Sequence, residues 1–142
     1  TFRDYSHACL LGTDAARDGV DVPGESLRLI VFDRVPWPRP TILHKARREA
    51  WGDKKEYDEM ITRLKLKQAF GRLIRRADDK GVFVMLDSML PSRLYSAFPK
   101  DAAIVKCGLA EAAEGVKKFL KDRHSPDLHS KSQGNPEETG SP

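Results

Sequence analysis

Short apolar runs alternating with stretches of helical periodicity mark this 142-residue sequence as an α/β protein with a parallel sheet and flanking helices. Residues 8–13 (ACLLGT), 27–32 (LRLIVF) and 81–86 (GVFVML) are three such runs, rich in branched and aromatic residues, and they read as buried strands. Two helical patterns, residues 41–51 and 57–77, separate the second run from the third. Strand, helices, strand is a crossover unit, and a crossover pairs its strands in parallel. With a hydrophobic fraction of 39% that includes Trp and Phe, the chain can build one real core, so one compact domain over residues 1–122 is expected.

Along the chain, the first run ends in a turn signal, and residues 12–24 (GTDAARDGVDVPG) return it to the second. Thr13 or Asp14 can cap a very short helix there, with free backbone N–H groups available to a phosphate. Gly19 and Gly24 allow positive φ in the returning loop and leave Asp21 on an exposed turn. A plain strand-turn-strand connection accounts for the same residues. After the second strand, residues 35–40 (VPWPRP) carry three prolines, which forbid helix and central strand and fix a rigid extended loop. The polar break Gly52-Asp53-Lys54-Lys55 divides the two helices. Residues 92–97 suit a short helix. Residues 109–121 place Leu109, Ala112, Ala113, Val116, Phe119 and Leu120 on one face of an amphipathic helix. Residues 123–142 are Ser, Pro, Gly, Asn and Glu with almost nothing apolar, and a disordered tail is expected.

The net charge is +4 with a pI near 9.1, and the acidic tail makes the folded part more basic than the whole. That excess suits a polyanion such as nucleic acid or nucleotide phosphates, although many ordinary soluble domains carry as much. Cys9 and Cys107 lie far apart with no CxxC between them, so they read as reduced, buried thiols of a cytoplasmic protein. The dispersed histidines His7, His44, His124 and His129 read as solvated, and no metal site is expected. No apolar stretch approaches the length of a membrane span, and the start has neither an initiator Met nor a signal-peptide core, as expected of a piece cut from a longer protein.

The most informative segment is Gln68-Ala69-Phe70-Gly71-Arg72-Leu73-Ile74-Arg75. On a helix, Gln68, Gly71, Arg72 and Arg75 share one stripe, while Phe70, Leu73, Ile74 and Ala77 share the opposite, core-facing one. Two guanidiniums beside a glycine and an amide form a surface suited to clamping a phosphate. A glycine inside a helix costs about 1 kcal/mol against alanine, which invites a reason such as close approach of a ligand. A solvated arginine face with an incidental glycine is the other reading. The N-terminal half of the same helix puts Tyr57, Met60, Ile61 and Leu64 on the side of the arginines, so the helix either bends or is covered by different neighbours along its length. All three strands end in polar residues, including Asp33, Arg34, Asp87 and Ser88, at the edge where open parallel sheets bind ligands, although strands commonly give way to polar loops without any ligand.

At these segments the sequence resembles a known family. GTDAARDGVDVPGESLRLIVFDRVPWPRP is similar to motif V and its continuation, and QAFGRLIRRADDKGVFVMLD to motif VI and the following strand, of superfamily 2 helicases in the DinG branch, relatives of the xeroderma pigmentosum group D helicase. The match runs from about residue 2 to about residue 99. The resemblance implies a RecA-like, P-loop NTPase-like fold, as the truncated second motor domain of an ATP-dependent DNA helicase. It implies ATP and Mg²⁺ as cofactors of the full-length protein, bound between this domain and an upstream RecA-like domain, with single-stranded DNA crossing both. Carried over by position, Arg72 and Arg75 face the γ-phosphate with Gln68 in their network, and Gly71, Gly19 and Asp21 approach the nucleotide. Thr13 and Asp14 couple to the DNA backbone, and Arg39 on the proline loop contacts DNA. Walker A, Walker B and the early strands are absent, so the isolated chain is expected neither to bind nor to hydrolyse ATP, and its truncated sheet leaves an apolar edge open to artefactual dimerisation. A standalone basic nucleic-acid-binding module without ATPase activity is the alternative.

Overall fold

A computed structural model describes residues 9–13, 27–77 and 79–122. Two strands, β1 (Leu29–Phe32) and β2 (Val82–Met85), pair in parallel with Leu29 opposite Val82 and Phe32 opposite Met85. The crossover between them contains helices α1 (Ile42–Trp51) and α2 (Lys54–Leu73), as the order of apolar runs predicts. A 3-10 helix, Ser92–Ala97, and helix α3, Leu109–Lys121, follow β2.

Local chemistry sets the helix boundaries. Thr41 caps α1, its hydroxyl accepting from the His44 N–H at 3.2 Å, and Asp53 caps α2 by accepting from the Lys55 and Glu56 N–H groups at 3.0 Å. Between the helices Gly52 has φ +95°, a left-handed conformation that lets the chain turn within two residues. The polar break is therefore shorter than its composition implies: Lys54 and Lys55 already belong to α2.

The core lies on one side of the sheet. Val35, Leu66, Leu94 and Ala97 are buried, and Phe32, Phe83, Met85, Leu90 and Phe98 pack against them. Phe83 is the hub of an aromatic cluster, with ring centroids 5.1 Å from Phe32, 5.3 Å from Phe98 and 6.5 Å from Phe70. Thr62 is fully buried on α2, and its hydroxyl is satisfied by donating to the Asp58 carbonyl at 2.7 Å.

Four expectations need correction. Residues 9–13 form no strand and are exposed, Leu11 at 91%, because an apolar run becomes a strand only beside a partner. Leu29 and Val31 on β1 are exposed, since the crossover helices cover one face of the sheet only. Cys9 and Cys107 are free and exposed, not buried. Finally, α3 forms over the predicted residues but buries none of them, leaving Leu109 72% and Phe119 43% exposed. The expected tail, residues 123–142, lies outside the described residues, as do His7, His124 and His129.

Candidate nucleotide and nucleic-acid surface

The C-terminal half of α2 carries the predicted phosphate-facing residues. Its inner face is Leu66, Ala69 and Leu73, all buried, with Phe70 half-buried against Phe83 and Phe98. The core stripe thus differs from the expected Phe70, Leu73, Ile74 and Ala77: Ala77 is exposed and Ile74 lies past the helix end. Opposite it, Gln68 and Gly71 are exposed and Arg72 is half-buried.

Arg75 does not share that helical stripe. The helix stops at Leu73, Ile74 adopts an extended conformation, and the Arg75 and Arg76 N–H groups donate to the Asp79 carboxylate at 2.8 and 2.9 Å. Asp79 therefore ends the helix by offering its amides an acceptor other than the preceding turn. Arg75 remains exposed, just past the helix end.

The two halves of α2 have different neighbours, which resolves the conflict in its sequence pattern. Tyr57 is buried under α1, with ring centroids 5.6 Å from Trp51 and 5.4 Å from His44. His44 and Arg48 from α1 grip both oxygens of Asp58 on α2 at 2.8 and 2.9 Å. His44 is thus a partly buried clamp residue, not a solvated one. Beyond α1, Leu64 is half-exposed and the Gln68–Gly71 side is bare. A Cβ added at Gly71 would meet nothing within 4 Å. Packing among the described residues does not require that glycine.

The proline loop joins β1 to α1 as a braced arch. Val35 is buried at its start, Trp37 donates its N–H to the Val35 carbonyl, and Thr41 donates to the Arg39 carbonyl, both at 2.8 Å. These are three-residue turns centred on Pro36 and Pro40, whose fixed φ suits them. Arg39 is exposed on the arch and Trp37 is 40% exposed.

Asp87, beyond β2, ties the arch to the next loop, its carboxylate accepting from the Val35 N–H at 3.1 Å and the Met89 N–H at 2.8 Å. The Val35 amide first and then the Met89 amide hold its carboxyl below the usual value of 3.8, outweighing the opposing effect of desolvation, and the nearby Arg34 charge adds the least. Polar character at this strand end thus serves the backbone, a role that neither a ligand edge nor a plain polar loop describes. An acid directly after a strand is the signal that was available.

Of the other predicted residues, Thr13 is exposed outside regular structure. Asp14, Gly19 and Asp21 lie outside the described residues, so their placement beside Gln68, Gly71 and Arg72 is not described. Among the described residues no group of three His, Cys, Asp or Glu side chains is arranged to hold a metal, and no helix is long and apolar enough to cross a membrane.

A parallel strand pair bridged by a two-helix crossover, with a Gln-Gly-Arg face on its exposed side, defines an α/β domain of motor-like sequence pattern. Residues 1–103 match the helicase C-terminal domain family, and the chain belongs to that family. It is 41% identical over 95 residues to the ATP-dependent helicase DinG of Mycobacterium tuberculosis, covering 63% of this chain and 14% of that protein. Over 105 residues it is 41% identical to the ATP-dependent DNA helicase YoaA of Escherichia coli, covering 68% of this chain and 16% of the relative. The 3'-5' exonuclease DinG of Bacillus subtilis is 33% identical over 108 residues, 72% of this chain and 12% of that protein. The chain is therefore a DinG-type helicase segment and spans about a seventh of the curated relatives it matches. No solved structure matches it significantly.

Proposed function

We propose that this chain is the C-terminal part of the second RecA-like motor domain, over residues 1–122, of an ATP-dependent DNA helicase that couples ATP hydrolysis to movement along single-stranded DNA. Gly71 carries the reading. It costs helix stability, yet the described residues leave open space above it, so its reason lies in something that approaches this face from outside.

The donor set fits a nucleotide's terminal phosphates. Gln68 and Arg72 beside that gap, with Arg75 just past the helix end, offer amide and guanidinium donors that suit phosphate oxygens, and none of the three is a ligand for Mg²⁺, which is left to the upstream domain. ATP, when bound, supplies the phosphoryl group that is transferred to water. Arg72 and Arg75 stabilise the negative charge that develops there, and Gln68 orients their guanidiniums. Gly19 and Asp21 approach the same nucleotide, while Thr13, Asp14 and Arg39 face single-stranded DNA. In this reading Leu10, Leu11, Leu29 and Val31, exposed here, are buried by the rest of a longer sheet.

The test compares wild type and Gly71→Ala in the full-length protein. Alanine is expected to leave folding intact, or to stabilise α2 by about 0.5–1 kcal/mol, while DNA-stimulated ATP turnover falls at least tenfold. Unchanged turnover would return the face to solvent.

A further inference from the structure

We propose that the arch from β1 to α1 is itself a binding surface for single-stranded nucleic acid, on which the Trp37 ring stacks a base while Arg39 neutralises an adjacent phosphate. The inference rests on the helicase reading and adds to it a base-contacting residue.

Charge is the first observation. Between Arg34 and Arg48 the sequence holds five basic side chains and no acidic one, while the whole chain has a net charge of only +4. Residues 34–48 are thus a purely basic stretch, as are residues 60–77 on and just past α2. Arg48 is spent on Asp58 at 2.9 Å, but Arg39, Lys45 and Arg47 are exposed and make no ion pair among the described residues. A local excess of unpaired cations is the footprint of a phosphate backbone.

The second observation is the state of the two tryptophans. Trp51 packs on Tyr57 and serves the junction between helices. Trp37 is 40% exposed, and no aromatic ring of the described residues lies against it. Pro36 and Pro38 flank it, the buried Val35 anchors one end of the arch, and the capped start of α1 anchors the other. The indole is thus held out on a backbone with little freedom left to lose, which favours binding by lowering its entropic cost. Every base offers a π-face, so a rigid indole with Arg39 on the same arch suits sequence-independent stacking on an unpaired strand.

The test uses the 142-residue chain and an oligothymidylate of about 15 nucleotides. In Trp51→Phe, Trp37 is the sole tryptophan, and its fluorescence is expected to be quenched on adding the oligomer. With a labelled oligomer, Trp37→Ala is expected to weaken binding about tenfold and Trp37→Phe to retain most of it. Arg39→Ala is expected to weaken binding and lower the salt dependence by about one counterion. Thermal midpoints of the variants within a few degrees of wild type control for folding. No oligomer binding, no quench in Trp51→Phe, or a Trp37→Ala affinity within twofold of wild type would overturn the proposal and leave the arch to a protein partner. Trp37-dependent binding without DNA-stimulated ATP hydrolysis in the full-length protein would sink the helicase reading and leave this surface standing. Hydrolysis with Trp37 dispensable for binding would do the reverse.

Discussion

Gly71 and Gly81, on either side of the turn that follows α2, are glycines for opposite reasons. Above Gly71 the described chain leaves space, whereas a Cβ at Gly81 would lie 2.5 Å from two carbons of Leu73. Leu73 is buried, so a Cβ at Gly81 would have to displace a packed side chain, and glycine lets the start of β2 pass close to the end of α2. Gly81→Ala is expected to destabilise the chain by about 1–3 kcal/mol in urea unfolding, the usual range for an overpacked core. An unchanged midpoint would mean that Leu73 has room to move. Asp87 makes a second prediction at this scale. Its folded carboxyl titrates below 3.8, so the stabilisation from its two amide bonds is complete above that value and is lost as pH falls through the folded value. Asp87→Ala should therefore lower the thermal midpoint near neutral pH, and the gap from wild type should narrow in acid. A gap independent of pH would contradict that account.

Between α1 and α2, one carboxylate does most of the joining. His44 and Arg48 both reach Asp58, which is about a quarter exposed, while Trp51 and Tyr57 stack at the other end of the contact. Asp58→Ala is expected to cost about 1.5–3 kcal/mol, the range for hydrogen bonds to a charged group, measured as a shift in the urea midpoint. A loss below about 0.5 kcal/mol would assign the junction to the aromatic rings alone. The elements themselves were largely legible in the sequence. Proline placement announced the arch, and apolar periodicity announced α1, α2 and α3 with the strands between. The end of α2 was not legible, because Ile74 and Ala77 continue the helical spacing. What stops the helix is Asp79, a side chain that accepts from amides three and four residues earlier, and periodicity has no view of such a bond. The strand expected at residues 8–13 is absent from residues 9–13, the part that is described, for the matching reason: strand formation depends on a neighbour that composition does not reveal.

At the scale of the whole molecule, the described chain is a one-sided structure. Its core fills the space between α2, the 3-10 helix and one face of a two-stranded sheet, while Leu29, Val31 and the apolar stripe of α3 stay largely open. In the proposed motor domain these surfaces are the ones that a longer sheet and an upstream domain would cover. The family was legible because the QxxGRxxR and GVDVPG patterns are specific and occur in the expected order. The geometry of the predicted stripe was legible only in part, since Gln68 and Arg72 keep their helical relation while Arg75 lies past the helix end. The central claim is that these arginines stabilise phosphoryl transfer, and the direct measurement is ATP hydrolysis stimulated by single-stranded DNA in the full-length protein and in Arg72→Ala and Arg75→Ala. A fall in turnover of about 10³-fold or more, with nucleotide binding retained, is the expected result. Turnover equal to wild type in both variants would contradict it.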